Sequence, residues 1–163
     1  MPYGQLFDSV DVSAIPRDAR QVAGYLDGAF ANYTELVRAF PRADHLSITT
    51  GGDLRARCCD VEGGDLTPAE AALWVRRKLH LGQRPRIYTS LDNWSNVIDA
   101  MAGAGVAENT VWWWIAEWTG HAHTIPGAAC VQYASPGYGL PVTHHYDVSE
   151  VHSGFFVPST GKG

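Results

Sequence analysis

Thr67-Pro68-Ala69-Glu70 opens the segment that most restricts how this chain can fold. Thr and Glu three residues apart form a capping box, and proline suits the first helical position, where its missing N–H costs nothing. The helix so started carries Ala71, Trp74, Val75 and Leu79 on one stripe and ends near Gly82. A strand-like run, Ala56 to Glu62, precedes it, and another, Pro85 to Thr89, follows it. Long capped helices between strands argue against a β-sandwich.

The alternation recurs along the chain. Gln5 to Asp11 reads as a first strand, Gln21 to Asp27 as a second and His45 to Thr50 as a third. Val111 to Ala116 is a sixth, apolar on both faces as a covered parallel strand requires. Ala129 to Tyr133 is a seventh and His145 to Val148 an eighth. Asn32-Tyr33-Thr34-Glu35 is a second capping box, opening a short helix that Pro41 stops after Phe40. Ser90 caps another helix, with Trp94, Val97, Ile98 and Met101 inward, closing at Gly103 or Gly105. Ser13 to Asp18 has room for no more than a turn of helix, and the stretches 119–126 and 135–143 read as Gly- and Pro-rich loops.

Eight strands with helices between at least four of them predict an α/β fold of (β/α)8 barrel type. At 163 residues the chain is well short of the usual barrel of about 250, so the barrel is expected shortened and irregular, with several helices reduced or missing. A flavodoxin-like open sheet is the structural alternative. Residues 1–163 form one domain in this reading, with 151–163 as a C-terminal tail.

Chemistry concentrates at strand ends. In a strand Asp60 and Glu62 point the same way and Val61 the other, after which Gly63-Gly64 ends the run. Two carboxyls on one face raise the pKa of at least one of them, so that one stays protonated while the other stays charged. Asp8 and Asp11 are three apart and face opposite sides of a regular strand, so only one enters a pocket, and Asp8 is favoured. Asp147 on the last strand would meet them in a closed barrel, as a supporting acid or a loop cap. Tyr88, Trp114 and Tyr133 are either sugar-stacking or core aromatics. Gln132 and Tyr133 are neighbours on one strand, and only one of them faces the substrate without a twist.

With 12 Lys+Arg against 17 Asp+Glu and no basic run, nothing suits nucleic acid. No apolar run has membrane-spanning length, and the start Met1-Pro2-Tyr3-Gly4-Gln5 lacks the pattern of a secretory signal, so synthesis in the cytoplasm is expected. Three cysteines, two of them adjacent, make neither a disulfide framework nor a zinc site, and buried free thiols are expected. His144-His145 beside Asp147, and His121-x-His123 near Glu117, have no recognised ligand spacing, so no metal is expected. A P-loop and a Gly-x-Ser-x-Gly elbow are both absent, and no cofactor is expected.

The ordered motifs from Leu6 to Val151 resemble the family 25 glycoside hydrolases, the lysozyme-type muramidases of phages and bacteria, and their short actinobacterial phage forms. Asp11-Val12-Ser13 is similar to that family's opening motif, Asp60-Val61-Glu62 to its Asp-x-Glu, and Ile87-Tyr88-Thr89-Ser90 to its fifth strand. Trp114-Ile115-Ala116 resembles the sixth, with Trp118 where a Tyr is usual. Gln132-Tyr133 resembles a Trp-Gln-Tyr motif in which Val131 replaces the Trp, and Tyr146-Asp147-Val148 is similar to the closing strand. A Tyr-His-Phe third strand is replaced by Ser47-Ile48-Thr49, and the first crossover is nearly gone.

The resemblance implies peptidoglycan cleavage with net retention, at the bacterial cell wall or in a virion, in company with other domains of a larger protein. Glu62 is then the general acid, as the carboxylate pair itself suggests. Asp60 either orients the substrate's 2-acetamido group as internal nucleophile or stabilises the cation, with Asp8 as a third acid. Asp11, Tyr88, Trp114, Gln132, Tyr133 and Asp147 are the candidate substrate-binding residues. The alternative is an inactive barrel of this family that binds wall glycan or builds a virion.

Overall fold

Thr67 caps as expected: its hydroxyl accepts from the Glu70 amide, and α2 runs Pro68–His80. Around it the computed structural model describes residues 4–152 and 154–156. The strands are β1 (Gly4–Asp8), β2 (Gln21–Tyr25), β3 (Asp44–Thr49), β4 (Cys58–Val61), β5 (Arg86–Ser90), β6 (Trp112–Ala116), β7 (Cys130–Pro136), β8 (Gly139–Leu140) and β9 (Asp147–Val151). The helices are α1 (Tyr33–Ala39), α2 and α3 (Leu91–Gly103). Two 3-10 turns complete the connections, Val12–Ala14 between β1 and β2 and Glu108–Thr110 between α3 and β6.

Strands β1 to β7 pair in parallel in chain order, and β9 closes the ring between β7 and β1. The closed wall is thus an eight-stranded mixed barrel, since β9 is antiparallel to both its neighbours. The expected shortened barrel is present, with α-helices in only three of its connections. The open-sheet alternative is excluded by the β6–β7 pairing that completes the circle.

Alternation along the strands sorts side chains into two layers. Leu6, Leu46, Cys58, Trp114, Cys130 and Val151 fill the barrel interior. Cys59, Val61, Ile87, Trp113 and Ile115 face outward and are covered by Ala71, Trp74 and Val75 of α2 and Val97 and Met101 of α3. This two-sided burial is why β6 reads as a continuous apolar run. All three cysteines are free and buried.

Three expectations change. Asn32 does not cap α1 with its side chain. Its Oδ1 accepts from the Tyr25 amide and its Nδ2 donates to the Ser9 carbonyl, so it ties β2 to the loop after β1 instead. The last strand begins at Asp147 rather than His145 and runs in reverse. The tail does not begin at 151: Val151 completes β9, and Phe155 is fully buried against Trp114 at 6.2 Å. Arg86, inside the barrel, donates through Nε to the Phe155 carbonyl at 2.8 Å, so the chain folds back to plug the end of the barrel opposite the strand ends. Residues 157–163 of the expected tail lie outside the described residues.

Candidate active site

Because β9 runs against the other strands, its first residue arrives at the carboxyl-terminal mouth. Asp147 there stands directly opposite Asp8, the last residue of β1. Asp60 reaches the same mouth from β4, beside Tyr88 of β5. Glu62 follows one residue past the end of β4, where a turn closed by the Asp65 amide on the Glu62 carbonyl brings Asp65 back beside Asp60 and Glu62. Gly64, at φ +92°, supplies the left-handed conformation this turn needs.

Gln132 joins the two sides. Its Nε2 donates to Asp8 Oδ1 at 3.1 Å and to Asp147 Oδ2 at 3.4 Å. Its Oε1 accepts from the Tyr88 hydroxyl and from Trp118 Nε1, both at 2.9 Å. Donors meet acceptors on both ends of the amide, which fixes its orientation. Gln132 therefore faces inward and its neighbour Tyr133 outward, where the Tyr133 hydroxyl accepts from Gln5 Nε2 at 3.1 Å.

The carboxyls are short of countercharge. Asp8 is 5% exposed and Asp60 3%, and Asp60 Oδ1 has no hydrogen-bond partner. Burial lifts the Asp60 pKa to about 9, and Glu62, Asp65 and Asp8 add to the rise. Burial likewise raises Asp8, helped by Asp147, and raises Asp147. Glu62 is exposed along its chain, yet its carboxyl is desolvated enough to be raised as well. Hydrogen bonds from Tyr88 and Asp60 pull the Glu62 pKa back down. The Tyr88 hydroxyl thus stands between Gln132 and Glu62 with one proton for two acceptors. Asp60 and Glu62 are coupled, and the Glu62 charge opposes ionisation of the more buried Asp60, the arrangement of a dyad that shares one proton.

Six of the candidate residues come together: Asp8, Asp60, Glu62, Tyr88, Gln132 and Asp147. Three do not. Asp11 is exposed and caps the 3-10 turn, accepting from the Ser13 amide at 3.0 Å and the Ser13 hydroxyl at 2.6 Å, which lowers its pKa. Trp114 is 1% exposed and bonds Ser149 Oγ inside the barrel, out of reach of any sugar. Tyr133 is on the outer wall.

Tyr25 and Asp65 were missed. Tyr25 ends β2 on the inward side, and its pKa is pushed up by burial and then by Asp8, Asp60, Glu62 and Asp147. Period-two counting from Ala23 would have found it. Asp65 places a carboxylate oxygen within 4.8 Å of those of Asp60 and Glu62, an all-oxygen set of the kind a hard divalent cation takes. The histidines serve loops: His123 pairs with Glu117 at 2.7 Å and His144 stacks on Tyr146. A groove of about 830 Å³ bordered by Trp94, Trp112 and Trp113 is on the outer wall, where no helix bridges β6 and β7, and is remote from this chemistry.

No protein-family model matches the sequence, and no curated protein matches it. Solved structures do match the fold. A family GH25 lysozyme from Aspergillus fumigatus superposes with a TM-score of 0.58 at 16% identity, over 93% of this chain and 94% of that one. The spore cortex lytic enzyme SleM of Clostridium perfringens gives 0.56 at 12%, over 92% of this chain and 67% of that one. The modular Cpl-1 endolysin, solved with a tetrasaccharide-pentapeptide peptidoglycan analogue, gives 0.54 at 14%, over 93% of this chain and 54% of that one. The fold is accordingly that of the GH25 lysozymes.

Proposed function

We propose that this chain is a peptidoglycan-cleaving, muramidase-like glycoside hydrolase acting at the bacterial cell wall, with Glu62 as general acid and Asp60 as its partner. The observation that carries this reading is the dyad itself, with carboxylate oxygens of Asp60 and Glu62 within 4.8 Å at the open end of the barrel. Carboxylate oxygens this close suit the roughly 5 Å pairing of retaining enzymes better than the roughly 6.5–9.5 Å of inverting ones.

The chemistry follows from where the proton rests. A 2-acetamido N–H arriving at the unpartnered Asp60 Oδ1 favours the Asp60 anion and moves the shared proton to Glu62. Glu62 gives it to the leaving glycosidic oxygen as the C1–O bond breaks. The acetamido oxygen closes on C1, or Asp60 supports the cation there, and water later attacks C1 with Glu62 taking its proton. Tyr88 steadies the Glu62 carboxylate in the interval. Asp8, Gln132 and Asp147 brace the opposite side of the sugar.

Clearing of bacterial cell walls in a zymogram tests this. The wild type should clear, and Glu62→Gln should lose about 10²- to 10⁴-fold. A wild type that clears nothing from acid to neutral pH overturns the hydrolase, and equal clearing by Glu62→Gln removes the role given to Glu62. One observation favours an inactive glycan-binding or virion module instead: Trp118 bonds into the floor of the mouth, over the nearly closed Asp8, Asp60 and Gln132. Retention of the wild type on walls without clearing would select that reading.

A further inference from the structure

Two large aromatic side chains stand in water beside the mouth. Trp118 is 45% exposed and Tyr138 57%, and their rings pack on each other at 5.3 Å and 37°. They come from different connections, Trp118 from the one after β6 and Tyr138 from the turn between β7 and β8. Two glycines press those connections together. A Cβ on Gly139 would stand 2.4 Å from the Gly120 Cα, and both residues have positive φ, +87° and +81°. The Gly120 amide also donates to the Tyr133 carbonyl at 2.8 Å. Such an approach permits no side chain on either partner, so the ring pair is held in place by built-in backbone contact.

Leaving two aromatic faces in water is unfavourable for folding alone. The pair is continuous with the site, because Trp118 Nε1 bonds the Oε1 of Gln132, whose Nε2 holds Asp8 and Asp147. We propose that Trp118 and Tyr138 form a platform for a second sugar ring of the glycan, beyond the unit that meets Asp60 and Glu62. A pyranose carries C–H groups on its faces and hydroxyls around its rim, which suits an exposed indole and phenol. The platform stands over β7, three strands around the barrel from β4, so a saccharide that extends past the unit being cleaved has it in reach.

The inference rests on the mouth being a glycan site, and its fingerprint is dependence on chain length. The test uses the whole 163-residue chain carrying Glu62→Gln, so that binding is read without turnover. Titration calorimetry and tryptophan fluorescence follow β-1,4-linked N-acetylated di- and tetrasaccharides. The tetrasaccharide should bind more tightly, and Trp118→Ala or Tyr138→Ala should weaken it about tenfold while changing the disaccharide little. Trp118→Phe, which keeps a ring but loses the bond to Gln132, should retain most of the gain.

Equal losses for both lengths, or none, overturn the platform, and Tyr138→Ala decides the matter should Trp118→Ala fail to fold. In the active protein Trp118→Ala should raise KM for the tetrasaccharide more than it lowers kcat. Length-dependent binding in a protein that clears no walls would leave the platform standing and the hydrolase fallen. Clearing with no dependence on either ring would do the reverse.

Discussion

Asp60 is held in the barrel at a cost that pH should reveal. Its pKa is about 9 in the folded protein, because burial opposes its charge, against 3.8 for the ordinary group. A raised pKa means that the folded state binds the proton more tightly, so this stability is complete below about pH 4 and is lost as pH rises through about 9. Asp60→Asn should therefore melt above the wild type at pH 8, with the gap closing toward pH 4. At about 2–4 °C per kcal/mol for a chain of this size, differential scanning calorimetry resolves the crossover. Clearing should fall over the same alkaline range, since the proton lost is the one the dyad shares.

Residue by residue, strand alternation put Asp60 and Glu62 on one face and allowed only one of Asp8 and Asp11 into the mouth, while Asp11 is set aside by leaving the strand to cap the 3-10 turn. Alternation did not carry the choice between Gln132 and Tyr133, or between a buried and a sugar-facing Trp114. Those depend on which side of the wall is inside, and that is decided only when β9 closes the ring.

Among the elements, α2 was the most legible, and for a local reason. Thr67 and Glu70 complete their capping contacts within one turn of chain. Thr67→Ala should cost about 1 kcal/mol, seen as a drop of a few degrees in melting temperature with wall clearing unchanged at room temperature. Asn32 and Glu35 have the same spacing, yet Asn32 spends its side chain on the Tyr25 amide and the Ser9 carbonyl. A motif cannot report that a distant backbone group will claim its donor or acceptor first. The direction of β9 was illegible for a related reason, since an alternating pattern reads the same both ways. Asp147 reached the mouth regardless, because the strand that reversed also started there.

At the scale of the molecule, the barrel is open at one end and sealed at the other. Phe155 is the seal, buried against Trp114 and held by Arg86. Phe155→Ala should cost about 3–5 kcal/mol, measured by urea unfolding, as a large aromatic lost from a packed interior. This role was not legible beforehand, because a single Phe beyond the last strand has no period to place it.

Pairing of Gly4 with Val151 puts the beginning of β1 and the finish of β9 side by side on that sealed floor, facing away from Asp60 and Glu62. Both ends are thus handles on the underside of the molecule. A tether, a fused neighbour or a solid support attached at either one leaves the carboxylate mouth turned outward. A circular permutant that keeps Phe155, joins Phe156 to Gly4 by a flexible Gly-Ser bridge and is reopened in the 119–126 loop should still fold, as judged by circular dichroism and a cooperative melt.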